Sequence, residues 1–446
     1  MNKQENQTEK WTYGYTPEQK KKFDTRGLIY LVMFSLLYCC LYCMRQNFTY
    51  GGLYIQEGLG FDKAQIGILT STLFWTYGIG HLINGRLSER VGPPKFIICA
   101  VVFSFICNMC MGLTESLVAM AIIWGFNGYF QSMAWTSGLS VLTNWYPSER
   151  RGFAVGFAHA FSGFGAALSS AVIVAAVTLS SNLSLGLGWR AVFLLPGLLP
   201  IAMLAVYLLI AKPSPEKVGL PAYKEKDAEK NEAEDEMKAL VKEKGVLYPY
   251  LHLIRNPRFL VFVFVAFFTG VARYGMTQWV PFYFAEIYDV SVEASLLGSL
   301  ALPVGMAIGT FIVPVLTDKF CPKNRMPAVI LSAALAAAAI LGFLFLNPND
   351  PVQLVLIQIL LFVAGFGIYA VDGIAFTYAC DIGGRVFSAT ASGILDFAVY
   401  MGAAVQSIVY GFVFDLNAAM VFVTMIIILS INAALAIPFS LKKKTA

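Results

Sequence analysis

The sequence predicts an all-α membrane protein whose twelve transmembrane helices form two pseudo-symmetric bundles of six. Hydrophobic residues make up 57% of the 446 positions and charged residues only 13%, about half the share that is usual in soluble domains. Apolar segments recur along nearly the whole chain, and a helix that spans a bilayer needs roughly 20 apolar residues. These observations exclude a disordered chain and argue against an ordinary soluble enzyme.

Apolar runs separated by turn residues and charges define the predicted helices in chain order. In the first half they cover residues 27–56, 65–84, 95–114, 117–143, 152–179 and 190–211. In the second half they cover residues 257–287, 294–316, 327–346, 352–379, 386–413 and 418–440. The mixed-charge segment 212–256 predicts a solvated linker between the halves 27–211 and 257–440. Polar tails at 1–26 and 441–446 complete the predicted organisation.

Lysine and arginine lie almost entirely on one side of the predicted membrane. Of the 32 such residues, 28 lie in the tails, in or directly beside the central linker, and in the loops after predicted helices 2, 4, 8 and 10. The opposite loops hold only Lys63 and Arg190. The positive-inside rule therefore predicts that both termini and the linker are cytoplasmic. We expect a multi-pass protein of the plasma membrane, the inner membrane of a bacterium.

Two loops that follow the second helix of each half repeat a short motif. Each carries a leucine, a hydroxyl residue, an acid and a base in the same order, 229 residues apart, over residues 86–90 and 315–319. Parallel six-helix repeats are the architecture of the major facilitator superfamily, and the motif resembles the signature of that superfamily. We expect charge pairs there to latch one conformation; alternatively, they fix local loop structure. The residues concerned are Glu89, Arg90, Asp318 and Lys319.

The last two cations, Arg45 and Arg273, lie inside predicted helices 1 and 7. A charge within a spanning helix is costly, so it indicates a function. The two positions are equivalent under the repeat, being 228 residues apart, and the sequence places no acid within a turn of either. An arginine is always charged, and its planar fork matches the oxygens of a phosphate group. The pair predicts an oxyanion site, most simply for phosphate; the alternative is structural pairing with acids from other helices.

Four segments of the chain resemble the organophosphate:phosphate antiporter family, which includes bacterial glycerol-3-phosphate and hexose-phosphate transporters. The resemblance implies the major facilitator fold, exchange of a phosphorylated metabolite for inorganic phosphate by alternating access, and phosphoryl binding by both arginines. It also aligns His159, Tyr369 and Tyr400 with pocket residues of the family. The segments are YCMRQNF at 42–48, QSMAW at 131–135 running to WYPSERRG at 145–152, RYG at 273–275 with Trp279 and Pro281, and YMG at 400–402.

The chain departs from the family pattern at positions that bear on the substrate. His81 stands where the glycerol-phosphate branch has a lysine, so a fixed positive charge is lost. Predicted helix 11 has Asp396 but lacks the acid–lysine pair associated with hexose-phosphate carriers. His159 has two interpretations, a packing residue or a hydrogen-bonding group that responds to pH. These departures leave the organophosphate open.

Two acids share helical faces with the aligned tyrosines. Asp372 is three residues after Tyr369, and Asp396 is four residues before Tyr400, spacings that place side chains on one face. Beside the arginines they would make a cavity with a positive and a negative end, which suits a phosphate with a cationic or hydroxyl-rich far end. Alternatively, the acids pair with Arg273 or carry a coupling proton. The aromatic neighbours expected in the site are Tyr42, Trp135 and Tyr274.

Taken together, these patterns predict a secondary transporter that exchanges a small organophosphate for inorganic phosphate. The organophosphate would be of the sugar phosphate, glycerol phosphate or glycerophosphodiester type. The alternatives are a transporter-like sensor of sugar phosphates and a proton-coupled symporter of another organic anion. The sequence shows no nucleophile–base pair, metal-ligand spacing or nucleotide-binding loop, so we expect no enzyme activity, cofactor, metal or nucleic acid. The expected partners are these small phosphates and the lipid bilayer, and superfamily precedent favours a monomer.

Overall fold

The computed structural model describes residues 14–222, 239–240, 243–245, 247–320, 324–347 and 350–440, and these residues contain helices but no strand. We label the α-helices in chain order. Those of the first half are α1 (Pro17–Leu41), α2 (Asn47–Leu59), α3 (Lys63–Val91), α4 (Pro93–Met111), α5 (Leu117–Trp145), α6 (Ser148–Asn182), α7 (Ala191–Leu194) and α8 (Leu198–Ile210). Those that follow are α9 (Tyr248–Ile254), α10 (Pro257–Ile287), α11 (Val292–Gly298), α12 (Ala301–Phe320), α13 (Met326–Phe343), α14 (Pro351–Leu416) and α15 (Ala418–Ser440).

The number of membrane spans agrees with the sequence prediction. Within the described ranges, eleven helical stretches are long and apolar enough to cross a bilayer. Helix α5 is not among these stretches, although its 29 residues are long enough, because polar residues such as Asn127 and Gln131 lower its hydropathy. Both side chains are buried inside the protein rather than exposed to lipid, so α5 is the twelfth span.

Helix α14 contains two spans, Pro351–Ala379 and Thr390–Leu416. Its residues are helical throughout, yet Tyr369 and Tyr400 line one cavity. In a straight helix these tyrosines would lie about 45 Å apart, at 1.5 Å per residue. The chain therefore reverses direction between the two spans, as the two separately predicted helices 352–379 and 386–413 require.

The first predicted span, 27–56, is longer in the structure and is interrupted. It extends from Pro17 to Leu59, with a break after Leu41. It starts at Pro17 because Thr16 forms a capping box with Gln19, and it buries Phe23. Part of the expected polar tail 1–26 is thus helix. The expected linker is also ordered at its start, where Tyr15 donates a hydrogen bond to the carbonyl of Pro221 (2.6 Å) and Trp145 donates one to Lys212 (2.9 Å).

The two halves meet along a central interface. Helix α3 packs against the second span of α14, and α6 packs against α12, while the remaining large contacts stay within one half. The side chains at this interface are largely buried. The interface runs through the middle of the protein, where the predicted site residues lie.

The halves approach each other closely at one end of this interface. We call the end that carries Lys63 the outer end and the opposite one the inner end, following the predicted topology. At the outer end Gly67 packs directly against the carbonyl of Ser407. At the inner end a β-carbon added to Gly156 or Gly393 would meet no atom within 4 Å. The halves are therefore in close contact at the outer end, while both of these inner-end glycines border open space.

Lys63 joins the two halves at the outer end. Its ammonium lies 2.8 Å from a carboxylate oxygen of Asp415 and 3.1 Å from one of Glu286. Both acids belong to the second half and are partly exposed, so the ion pairs contribute modestly. They favour the conformation in which the outer end is closed.

Lys63→Met should open the outer end more often, shifting the balance between conformations a few-fold. Spin labels on the exposed residues Glu57 and Ile287, at the outer ends of α2 and α10, would report a larger fraction of long distances. Lys95→Met, which changes an exposed lysine at the inner end, is the matched control and should leave the distribution unchanged. An unchanged distribution in Lys63→Met would show that the ion pairs do not hold the outer end closed.

Candidate functional site

Arg45 lies at an interruption of the first span. Helix α1 ends at Leu41, residues Tyr42–Met44 form a single 3-10 turn, and α2 begins at Asn47. Such a break leaves backbone carbonyls without helical partners, which is unfavourable inside a membrane unless other groups satisfy them. The arginine is thus held on irregular backbone in the protein interior, a placement typical of binding sites in transporters.

Amide side chains from neighbouring helices satisfy these carbonyls. Asn127 donates a hydrogen bond to the carbonyl of Met44 (2.8 Å), and Asn108 donates a second to the same oxygen (3.1 Å). Gln131 donates to the carbonyl of Leu41 (3.4 Å). The polar residues that make α5 less apolar therefore hold the break that positions Arg45.

The guanidinium of Arg45 is enclosed by aromatic rings. Its central carbon lies 3.9 Å from the ring centre of Tyr42, 4.9 Å from that of Tyr77 and 5.7 Å from that of Tyr38. The residue is only 4% exposed, and none of its three guanidinium nitrogens has a hydrogen-bond partner among the residues that the structure describes. Cation–π contacts offset part of this cost, but a buried fork of unused donors suits an anion.

Arg273, on α10, approaches from the second half and has a counter-ion. Its guanidinium carbon lies 4.1 Å from the ring centre of Tyr369, and one nitrogen lies 4.0 Å from a carboxylate oxygen of Asp372. Another nitrogen donates to the hydroxyl of Tyr42 (3.4 Å). Tyr42 therefore contacts both arginines, one with its ring face and one with its hydroxyl. The sequence left open whether the arginines pair with acids from other helices. For Arg273 the structure supplies such an acid, Asp372 of α14.

Two histidine–carboxylate pairs connect the halves. His81 on α3 forms a hydrogen bond of 3.2 Å between its Nδ1 and a carboxylate oxygen of Asp396. His159 on α6 places Nε2 3.3 Å from Asp372. Both acids lie on α14, and Asp372 is only 1% exposed. The two acids predicted to share a face with the tyrosines thus do face the interior, each beside a histidine of the other half.

A small cavity of about 10 Å³, room for roughly one water molecule, lies between the halves. Most of the predicted site residues border it, but Arg45, Tyr274 and Asp372 do not. Arg45 lies behind the rings of Tyr38 and Tyr42, which line the cavity. The lining residues are Tyr38, Tyr42, His81, Trp135, His159, Ser162, Arg273, Tyr369, Asp396 and Tyr400.

Sequence reasoning missed Tyr38, Tyr77 and Ser162. Tyr38 precedes Tyr42 by four residues, so helical spacing could have placed it on the same face. Tyr77 packs against the rings of His81 (4.5 Å) and Tyr400 (4.3 Å). Ser162 shares a hydrogen bond with the hydroxyl of Tyr369 across the halves, which no pattern in the sequence indicates.

The four residues predicted to latch the conformations lie at the inner end. The side chains of Glu89, Arg90 and Asp318 lie outside the part of the structure that is described. Lys319 is exposed, with its ammonium 5.5 Å from the ring centre of Phe320. The latch therefore stays a prediction.

The sequence model of the Major Facilitator Superfamily matches residues 34–407. The chain belongs to the major facilitator superfamily. This superfamily member is a multi-pass membrane protein of a transporter family and not an enzyme. Its all-helical architecture of two six-helix bundles is the predicted fold.

Named relatives agree with the resemblance found in the sequence, which is confirmed. The chain is 29% identical to a "Probable hexose phosphate transport protein" of Chlamydia trachomatis, over 85% of this chain and 83% of that protein. It is 28% identical to the "Glycerol-3-phosphate transporter" of Bacillus subtilis, over 85% and 84%. It is 25% identical to the "Membrane sensor protein UhpC" of Escherichia coli, over 92% and 91%.

A solved structure shares the fold of this superfamily member. It is a bacterial homolog of the human lysosomal transporter Spinster, described as inward-facing and unoccupied. The two superpose with a TM-score of 0.72 at 18% identity, covering 96% of this chain and 98% of that one. The likeness supports the fold alone.

Proposed function

We propose that this protein is a secondary active transporter that exchanges a small organophosphate for inorganic phosphate by alternating access. The observation that carries this proposal is the unpartnered guanidinium of Arg45, buried at a break in the first span. A second arginine, Arg273, reaches the same tyrosine from the other half. A phosphate group has enough oxygens to accept from both guanidinium groups at once.

Binding would require two local rearrangements. Tyr42 lies between the arginines, so its ring must move before a phosphate at the cavity can reach Arg45. Asp372 lies 4.0 Å from Arg273 and would give up part of that attraction to the phosphate. Because the arginines belong to different halves, a bound phosphate would draw the halves together. It would thereby lower the free energy of the intermediate conformation in which both ends are closed.

The organic part of the substrate would lie between the halves, at the small cavity, which must widen to admit it. Trp135 and Tyr38 offer ring faces, with centres 4.8 Å apart, while His159 and Asp396 offer polar groups. This lining suits a sugar phosphate, a glycerol phosphate or a glycerophosphodiester. The names of two relatives, a hexose phosphate and a glycerol-3-phosphate transporter, point to the same chemical class.

We also propose a monomer in the bacterial inner membrane, with both termini and the linker in the cytoplasm and the halves 27–211 and 257–440 as units. The inner-end residues Glu89, Arg90, Asp318 and Lys319 would form charge pairs when the inner end closes. The strong bias of positive charge toward the tails and linker supports this orientation.

Exchange can be tested with purified protein in phospholipid vesicles. Uptake of labelled phosphate should be rapid into vesicles loaded with phosphate, slow into empty ones, and unaffected when the proton gradient is collapsed. Competition with unlabelled glycerol phosphate, hexose phosphate and glycerophosphocholine would then rank the organic substrates. Uptake that needs the proton gradient but no internal phosphate would overturn exchange in favour of symport.

A sensor is the second candidate function, because a sensor is among the relatives. A sensor and an exchanger would share the arginine site but differ in flux. Saturable binding of a sugar phosphate to the purified protein, with no uptake above that of protein-free vesicles, would favour the sensor and contradict the exchanger.

A further inference from the structure

The net charge of the site residues does not neutralise the charge of a bound phosphate ester. Arg45 and Arg273 contribute two positive charges, and Asp372 and Asp396 contribute two negative ones, so the described site is neutral when its histidines are neutral. A phosphate monoester carries a charge near −2 above about pH 7. Binding it would leave uncompensated negative charge in a buried site, which is strongly unfavourable.

Of the two acids, Asp396 has less positive charge close to its carboxylate. Asp372 lies near Arg273 as well as His159. Among the described ion pairs, that of Asp396 is with His81, a group that can be neutral or charged. The side chain of His81 is 1% exposed and that of Asp396 is 12% exposed. Their pair is therefore the place where an added proton would neutralise a carboxylate that lacks an arginine partner among the described ion pairs.

The geometry of His81 leaves a nitrogen ready to accept that proton. With Nδ1–H donating to the carboxylate of Asp396 (3.2 Å), the basic nitrogen is Nε2. Nε2 is buried and has no hydrogen-bond partner among the described residues. A proton added there makes an imidazolium whose hydrogen bond to Asp396 becomes a charge-assisted one.

The other titratable or charged groups near His81 come from several helices. Tyr77 precedes it on α3, and Asp396 and Tyr400 face it from α14. Arg45 lies beyond the ring of Tyr77. The remaining groups lie in or beside the cavity wall, namely Tyr38, Tyr42, His159, Arg273, Tyr274, Tyr369 and Asp372.

We propose that the transporter takes up one proton at the His81–Asp396 pair when it binds a phosphate dianion. This inference rests on the proposed function, since it assumes that the ligand is a phosphate. The proton comes from water and stays on Nε2 while the dianion is bound. By linkage, the affinity for the dianion then falls as the pH rises, by up to tenfold per pH unit for one proton.

Calorimetry can count this proton. Inorganic phosphate is titrated into the purified full-length protein at about pH 8.5, where it is mainly the dianion. Titrations in two buffers of different ionisation enthalpy give the number of protons bound per phosphate. We expect about one proton for the unchanged protein. His81→Gln and Asp396→Asn should each bind about one proton less.

The chain has three histidines, and the third supplies a matched control. His252 is exposed on α9, so His252→Gln should take up the same number of protons as the unchanged protein. His81→Lys places a fixed charge beside Asp396; it should still bind phosphate but take up about one proton less. This variant keeps the test valid should His81→Gln lose binding.

The outcomes separate the inference from the function on which it rests. Absence of any phosphate binding to the unchanged protein, checked by equilibrium dialysis with labelled phosphate, overturns the phosphate site and the proton uptake together. Phosphate binding without proton uptake overturns the inference alone. Proton uptake that is the same in His81→Lys and in the unchanged protein also overturns the inference, because the proton then binds elsewhere.

Discussion

Replacing Arg45 with lysine should abolish phosphate exchange almost as completely as replacing it with alanine. A guanidinium offers a planar fork of donors, whereas an ammonium offers a point charge on a different stem. The fork of Arg45 is enclosed by three tyrosine rings, so a lysine there would lose both the stacking and the paired hydrogen bonds. Each bond to a charged group is worth about 1.5–3 kcal/mol, so the loss should be at least about a hundredfold.

Exchange of labelled phosphate in loaded vesicles measures this effect. Arg190→Lys is the matched control, because Arg190 is partly exposed and pairs with Glu115 (2.5 Å) at the outer end. Its exchange should stay close to normal. Arg273→Lys should fail like Arg45→Lys. Near-normal exchange in both site variants would show that neither arginine holds phosphate through its fork.

The stability of the empty protein distinguishes a lost site from a lost fold. Arg45 is a buried cation whose guanidinium nitrogens have no hydrogen-bond partner among the described residues, which is costly in the absence of ligand. Arg45→Met should therefore melt no lower than the unchanged protein. A large drop in melting temperature would instead identify Arg45 as a structural residue of the helix break.

The sequence predicted the fold correctly because spans depend on local patterns, and local patterns also selected the residues of the candidate site. Apolar runs of the right length predict spans, and the repeat offset of 228 residues aligned Arg45 with Arg273. Helical spacing put Asp372 beside Tyr369 and Asp396 beside Tyr400. The structure places these residues in or beside one cavity, although their roles remain proposals.

Features that depend on pairing across the halves were not predictable from spacing. The partners His81 and Asp396 are 315 residues apart, and no helical period relates them. The position of Arg45 behind the tyrosine rings follows from the break in the first span. One feature of the sequence could have indicated that break. Asn108, Asn127 and Gln131 are amides in otherwise apolar helices, and such groups need hydrogen-bond partners inside the protein.

The closed outer end depends on a close approach of two backbones, and changing it should stop transport. Gly67 lies on α3 and Ser407 on α14, so their contact crosses the halves. A β-carbon at position 67 would lie 2.1 Å from the carbonyl oxygen of Ser407, a separation that no ordinary contact allows. Backbone cannot move aside as a flexible side chain can. Gly67→Ala should therefore prevent closure of the outer end.

Because the halves separate there in the outward-open conformation, Gly67→Ala should fold normally but remain outward-open. Phosphate exchange should fall at least about tenfold, since cycling requires both conformations. Spin labels on Glu57 and Ile287 should report the longer distance almost exclusively.

Gly402→Ala is the informative comparison, because its β-carbon would lie 2.1 Å from the carbonyl of Phe267 within the second half. Because both residues belong to the second half, we expect this contact to persist when the halves move, so Gly402→Ala should lower the melting temperature instead. If Gly67→Ala also melts early and shows no shift in distance, the contact supports the fold rather than the conformational cycle.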